Sequence, residues 1–305
     1  MRLDRADAAG RRRMERAVRS GEPVEYAVPA GDGRGPPPDE LVPLCHAVSD
    51  PALERWLPPA ALPGGGARVS VVIPASRGRP IGLGALGAQD VETELIVLAN
   101  GGWTEGIVVP WEGHGPTRNR GLALATHPYV LFTVDDALPL GAGFLRTLVE
   151  ALEAGGYDAV TARQIPWPTS DPVTRARLRR WTPPAGEGEV TLDNVAALYR
   201  RSALVADPFD AVPIGEDWHW GRRHRVGFVP GAAVVHAHPR RFRALYARTR
   251  DLHRELIAGG EPARVPDVAT LVRALPSVVG PDLRGAAGEL FGQWAAGRTR
   301  ATRGR

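Results

Sequence analysis

An α/β architecture, a mixed but mainly parallel sheet flanked by helices, is the fold class this sequence predicts, and three observations carry it. From Arg68 onward, short β-branched apolar runs alternate with stretches of helical periodicity. The runs are apolar at successive positions rather than at every second one, as strands covered on both faces are. Polar residues then gather where runs end: Asn100 after one, Asp135 and Asp136 after another, His236 after a third. Ligands of such sheets bind beyond the carboxyl ends of the strands, so these ends are where a site is expected.

Taken in order, Val69-Ser70-Val71-Val72-Ile73 predicts a first strand closed by Pro74. Leu95-Ile96-Val97-Leu98-Ala99 predicts a second, stopped by the turn signal Asn100-Gly101-Gly102. Residues 107–111 read as a third strand, 116–126 as a helix with Pro116 or Thr117 at its start, and 129–134 as a fourth strand. Residues 143–153 suit a helix with Phe144, Leu145, Leu148, Val149 and Leu152 on one face, and 159–165 return as a strand. The second half is less regular. Residues 166–190 form a long connection carrying Trp167, Trp181 and several arginines, a length often used for binding loops. Residues 194–204 read as helix or strand, 215–223 as the start of a helix, and 226–235 as a strand pair. Helices are expected over 240–256, 268–274 and 283–294.

The flanks differ from this pattern. Residues 1–67 read as an N-terminal extension, with a short charged helix over 5–19, a helical element over 41–57, and Pro/Gly-rich linkers around 31–38, 58–59 and 63–66. The folded domain is expected over 68–240, followed by a C-terminal helical extension over 241–305. At 305 residues, 43% hydrophobic and 24% charged, the chain has enough apolar material for a full core. All 38 basic residues are arginine, which with the abundant Ala, Gly and Pro fits codon bias better than functional choice. A net charge of +4 gives no reason to expect nucleic acid as a partner. The arginine clusters leave peripheral contact with an anionic membrane open. The single Cys45 excludes an intrachain disulfide and a thiolate metal cluster, and suits a reducing compartment. No run approaches the ~20 apolar residues of a membrane span, and the charged N-terminus lacks the apolar core of a signal peptide. The expected location is cytoplasmic.

Eight motifs carry a resemblance. Ser70-Val71-Val72-Ile73-Pro74-Ala75, Ile96-Val97-Leu98-Ala99-Asn100-Gly101-Gly102, Arg118-Asn119-Arg120-Gly121 and Phe132-Thr133-Val134-Asp135-Asp136 come first. Ala197-Leu198-Tyr199-Arg200-Arg201, Pro208-Phe209-Asp210, Ile214-Gly215-Glu216-Asp217-Trp218 and Val234-Val235-His236-Ala237-His238-Pro239 continue the order. Over about residues 68–240 the chain resembles an inverting family 2 glycosyltransferase of the GT-A fold, the Rossmann-like fold of nucleotide-diphospho-sugar transferases.

That resemblance implies a nucleoside-diphosphate sugar, a UDP-sugar first among them, as donor, an acceptor hydroxyl, and a divalent cation, Mn²⁺ or Mg²⁺. It implies Asp217 as general base, with Glu216 binding acceptor or orienting its loop. Asp136, His236 and His238 would meet the metal, His residues two apart on a strand sharing one face. Pro74, Ala75, Ser76, Arg77, Asn100, Arg118, Asn119 and Asp135 would border the nucleotide, and Trp218 and Trp220 the acceptor. Two departures stand out. Val134 occupies a place where the family carries an aspartate, and Asn100 one where it usually carries an acid. Read without the family, Asp135-Asp136 and Glu216-Asp217 equally suit caps of the helices that follow, and the histidines a pair of surface imidazoles. Two other functions compete. A nucleotidyltransferase would want a Gly-rich loop with a lysine, where this chain has Arg77-Gly78-Arg79 and no lysine. A non-catalytic sugar-nucleotide-binding relative is consistent with Val134, whereas Asp217 and His236 favour activity.

Overall fold

The computed structural model describes residues 66–76, 78–100, 106–165, 178, 191–212, 214–236 and 242–260, together with a two-residue parallel pair, Arg2–Leu3 with Glu25–Tyr26. The helices expected over 5–19, 41–57, 268–274 and 283–294 lie outside the described residues, as does the 166–190 connection apart from Leu178. The main body runs β1 (Arg68–Ala75), α1 (Leu83–Gly87), β2 (Glu92–Ala99), β3 (Ile107–Val108), α2 (His114–Leu124), β4 (Tyr129–Thr133), β5 (Leu138–Pro139), α3 (Phe144–Gly155), β6 (Ala159–Ile165), β7 (Ala196–Arg200), α4 (Arg201–Ala206), α5 (Glu216–Gly221), β8 (Val226–Val235) and α6 (Phe242–Ala258).

The strands form one eight-stranded sheet in the order β3-β2-β1-β4-β7-β6-β8-β5. Pairs β3/β2, β2/β1, β1/β4 and β6/β8 are parallel; β4/β7, β7/β6 and β8/β5 are antiparallel. The sheet is therefore mixed and mainly parallel, as the sequence predicts. Side-chain alternation along each strand feeds two cores. Val69, Val71, Ile73 and Leu131 face the layer holding Phe144, Leu145, Leu148, Val149 and Leu152 of α3. Val72, Val130, Phe132 and Tyr199 face the opposite layer, with Leu122 of α2, Leu204 of α4 and Trp220 of α5. The second layer closes tightly at Gly121, where an added Cβ would lie 2.2 Å from Val72 Cγ1, so only glycine lets α2 sit this close to β1.

Several elements differ from expectation: the strand expected over 107–111 is only Ile107–Val108, α2 begins at His114 and not at Pro116 or Thr117, and α1 and β5 have no counterpart among the expected elements. Residues 194–204 are strand and then helix, β7 followed by α4. Residues 226–235 are one ten-residue strand rather than a pair: both halves run parallel to β6, and Pro230-Gly231 falls in the register irregularity between Val229 and Ala233. A proline lacks the N–H of a ladder bond, and here the cost is absorbed by a bulge, not by a turn.

The topology also explains where the polar strand ends meet. After β4 the chain crosses the edge of the sheet, carrying Asp135 and Asp136, and ends in β5, whose Leu138 pairs with Val235 of β8. His236 follows directly, so two motifs about a hundred residues apart are delivered to one place. The capping alternative for the acidic pair is not realised, since α3 starts with no side-chain cap.

Candidate active site

One half of the candidate site is assembled from the C-terminal ends of β1, β2 and β4. Ser76 donates its backbone N–H to Asp135 Oδ2 at 3.0 Å, and Asp135 returns its carbonyl to Ile81 N–H at 3.0 Å. Asp135 is buried and fixes the loop after β1, below Pro74 and Ala75. Asn100 donates its backbone N–H to Ala75 O at 3.0 Å, while its side-chain Oδ1 is buried with no hydrogen-bond partner among the described residues. A buried acceptor left open is costly, and it suits a ligand N–H. Arg77 and His238 lie outside the described residues.

Next to this, His236 Nε2 lies 3.4 Å from Asp136 Oδ1, both side chains being largely enclosed. His236 Nδ1 lies 3.1 Å from Gln164 Oε1, and Gln164 Nε2 donates to Asp193 Oδ2 at 2.7 Å. Asp193 Oδ1 accepts the N–H of Val195 at 2.9 Å, so one carboxylate spans the turn before β7 and the end of β6. Because β7 runs antiparallel to β4 and β6, its N-terminal turn lies at the same sheet edge as their C-terminal ends.

The other half begins one residue further on. Asn194 donates its backbone N–H to Asp217 Oδ2 at 2.9 Å, and Trp218 N–H donates to Oδ1 at 2.8 Å. Asn194 Nδ2 donates to Glu216 Oε1 at 3.2 Å, and its Oδ1 accepts from Tyr199 OH at 2.7 Å. Arg118 Nη1 reaches the same Glu216 oxygen at 2.6 Å, a buried ion pair that ties α2 to α5. Helix α5 is entered through Gly215 at φ +87°, a left-handed conformation that glycine adopts without strain and that aims Glu216 inward and Asp217 toward the strand ends. Asp217 keeps part of its surface, yet its carboxylate sits in a poorly solvated position. Desolvation first, then the neighbouring Glu216 and Asp193 charges, push its pKa from 3.8 up to about 7. Each carboxylate oxygen retains lone pairs beyond the single N–H it accepts. A group placed and tuned in this way can take a proton from an acceptor near neutral pH.

Several expected site residues are placed elsewhere. Trp220 is fully buried against Tyr199 and Phe209 and donates Nε1–H to Asp207 O at 2.7 Å, so it is a core residue and offers no face to an acceptor. Trp218 is half-buried beside Asp217, with the Arg222 guanidinium 5.0 Å from its ring centre. Asn119 is clamped to the backbone of Phe209 through both side-chain atoms, Nδ2 to O at 2.9 Å and Oδ1 from N–H at 3.1 Å. Arg118 is turned to Glu216, not toward the strand ends. Sequence reasoning missed Gln164, Asp193, Asn194 and the Tyr199 hydroxyl. The one signal available was a glutamine in the strand Ala159–Ile165, all seven residues of which are buried.

No protein-family model matches the sequence, and no curated protein does. Solved structures do match. Mannosyltransferase PcManGT from Pyrobaculum calidifontis, in complex with GDP-Man and Mn²⁺, aligns with 78% of this chain and 75% of its own at 18% identity and a TM-score of 0.50. The chain has the GT-A fold. Two further matches have lower TM-scores. Glucosyl-3-phosphoglycerate synthase from Mycobacterium tuberculosis, with Mn²⁺, UDP-Glc and phosphoglyceric acid, covers 67% of this chain and 83% of its own at 20% identity and TM-score 0.46. TarS 1–349 from S. aureus, with UDP-GlcNAc, covers 78% and 92% at 13% identity and TM-score 0.41. On the GT-A scaffold of this chain, the Asp136–His236 pair and the Glu216–Asp217 pair sit at one sheet edge, joined through Gln164, Asp193 and Asn194.

Among the described residues no three His, Cys, Asp or Glu side chains converge. Two do: a carboxylate oxygen and an imidazole nitrogen 3.4 Å apart. Mg²⁺ is commonly held by one or two carboxylates plus substrate phosphates and water; Asp136 supplies one carboxylate with the His236 imidazole beside it, which fits an ion that arrives with a diphosphate.

Among the described residues no helix is long and apolar enough to cross a membrane.

Proposed function

We propose that this chain is an inverting glycosyltransferase of the family 2 type, moving a sugar from a nucleoside-diphosphate sugar to an acceptor hydroxyl. One observation carries the reading: the turn before β7 holds Asp217 through Asn194 N–H and, through the adjacent Asp193, the Gln164–His236 contact beside Asp136, so a poorly solvated carboxylate and the Asp136–His236 pair meet at one place. Asp136 and His236 would hold Mn²⁺ or Mg²⁺, with His238 as the further ligand implied by the family resemblance. That ion would offset the negative charge that gathers on the departing diphosphate.

The protein's own groups do the rest. The acceptor oxygen attacks C1 of the donor sugar as the bond from C1 to the diphosphate oxygen breaks; the nucleoside diphosphate leaves with the bonding pair. Asp217 takes the acceptor's proton during the attack. Glu216 is a positioning residue, held by Arg118 and Asn194, and it raises the basicity of Asp217 through its charge. Asn100 Oδ1 accepts the imide N–H of the base, a group that uracil presents and adenine lacks. Pro74, Ala75 and Ser76 line the approach, Asp135 holds Ser76 in place, and Arg77 is a further nucleotide contact implied by the family resemblance. Trp218 is the remaining aromatic platform for an acceptor. The lone Cys45 suits a reducing compartment, and this reading puts the reaction in the cytoplasm.

Incubation with a panel of UDP- and GDP-sugars and Mn²⁺ tests it. Slow, Mn²⁺-dependent release of nucleoside diphosphate from at least one donor is expected. If no donor is hydrolysed and none shifts the melting temperature, the reading fails.

A further inference from the structure

Between the two ends lies a part of the network that neither pair explains: Gln164 and Asp193. Gln164 is 7% exposed and sits in the buried strand β6, where a primary amide is retained only if its groups are bonded. A carboxylate accepts and does not donate. The 2.7 Å contact between Gln164 Nε2 and Asp193 Oδ2 therefore sets which way the amide points, and Oε1 must be the atom that faces His236. An amide oxygen can only accept, so His236 Nδ1 carries a hydrogen. The backbone agrees in fixing the ring's place: His236 N–H donates to Ile165 O at 2.9 Å, next in chain to Gln164. In the neutral ring the lone pair is thereby assigned to Nε2, the nitrogen 3.4 Å from Asp136 Oδ1.

We infer that Gln164 and Asp193 are positioning residues that hold His236 in the Nδ1–H form and present its Nε2 lone pair beside Asp136, as a ligand for the donor-bound divalent cation. The inference rests on the cation-assisted reading above, and it names two residues through which that reading is built. Asp193 is in turn fixed by Val195 N–H, so the device is anchored to the turn whose next residue, Asn194, bonds Asp217. Partners of this kind that orient a metal-ligating histidine typically affect metal affinity by about 10–100-fold when removed.

The test reads the ring directly. Long-range ¹H–¹⁵N correlation spectra of the metal-free protein should show His236 protonated at Nδ1. In Gln164→Leu that preference should be lost, and Mn²⁺ affinity, measured by calorimetry with UDP present, should fall by about tenfold or more. Gln164→Glu combined with Asp193→Asn restores an acceptor facing Nδ1 and a donor–acceptor bond behind it. The pair should regain the Nδ1–H form and most of the Mn²⁺ affinity, which loss of packing alone would not allow. A wild-type ring that carries no hydrogen on Nδ1, or a Gln164→Leu protein with unchanged ring protonation and Mn²⁺ affinity, overturns the inference. Wild-type protein that binds no Mn²⁺ with UDP overturns the cation reading instead, and the ring spectra then decide the orienting role by themselves.

Discussion

The two ends of the site are built on opposite plans. At the acceptor end Glu216 is 3% exposed and engaged by Arg118 and Asn194, and both oxygens of Asp217 already accept backbone N–H groups. At the donor end a carboxylate and an imidazole face each other at 3.4 Å and Asn100 Oδ1 has no partner among the described residues. The acceptor end is held by hydrogen bonds to both carboxylates of Glu216-Asp217, whereas the donor end brings an acid and an imidazole together beside a buried amide oxygen that suits a ligand N–H. The difference matches the chemistry proposed. A general base must be desolvated and fixed before the acceptor arrives, while a cation and a nucleotide bring charge and N–H groups of their own.

Perturbing each end should give different kinds of loss. The largest effect on stability is expected from Arg118→Leu, which strands the buried Glu216 carboxylate. Breaking such a pair typically costs about 3–5 kcal/mol, and adding Glu216→Gln should recover most of it in urea unfolding. An Arg118→Leu protein as stable as the wild type would mean that the acceptor end is less enclosed than described. At the donor end, Asp136→Ala should leave stability nearly unchanged and weaken Mn²⁺-dependent UDP binding by about 10–100-fold. An unaltered Mn²⁺ titration would move the cation away from this pair. A smaller effect is expected from pH. Transfer should rise with pH through about 7 as Asp217 loses its proton. The same shift acts on folding with the opposite sign. The folded state holds the Asp217 proton up to about pH 7 and the unfolded state only to about 3.8, so this group's contribution to stability declines as pH rises across that window. A rate independent of pH from 5.5 to 8.5 would remove Asp217 from the base role.

The legible and illegible parts of the sequence separate along physical lines. Strands β1 and β4 are short apolar runs buried along nearly their whole length, and β2 is such a run in its second half, Leu95–Ala99; these runs are readable without knowing their neighbours. The direction of β7 was not, because antiparallel insertion between β4 and β6 depends on where a long connection returns. Pro230-Gly231 reads locally as a turn, yet partner β6 on one side keeps β8 continuous. The acidic and histidine clusters stood out because their chemistry is distinctive at strand ends. Gln164, Asp193 and Asn194 did not, since an amide or acid near a strand end is ordinary until its partner is known. Trp218 and Trp220 show the limit of residue type: two apart on a helix, they point about 200° from one another, and one is half-exposed while the other is wholly in the core.

The division of labour between the ends is tested most directly by Asp217→Asn, assayed in parallel for UDP binding with Mn²⁺ and for donor turnover. The account predicts UDP affinity within about twofold of wild type and turnover reduced by about 10²–10⁴-fold, the range that a positioned base supplies. Retained turnover, or loss of UDP binding together with turnover, would contradict it.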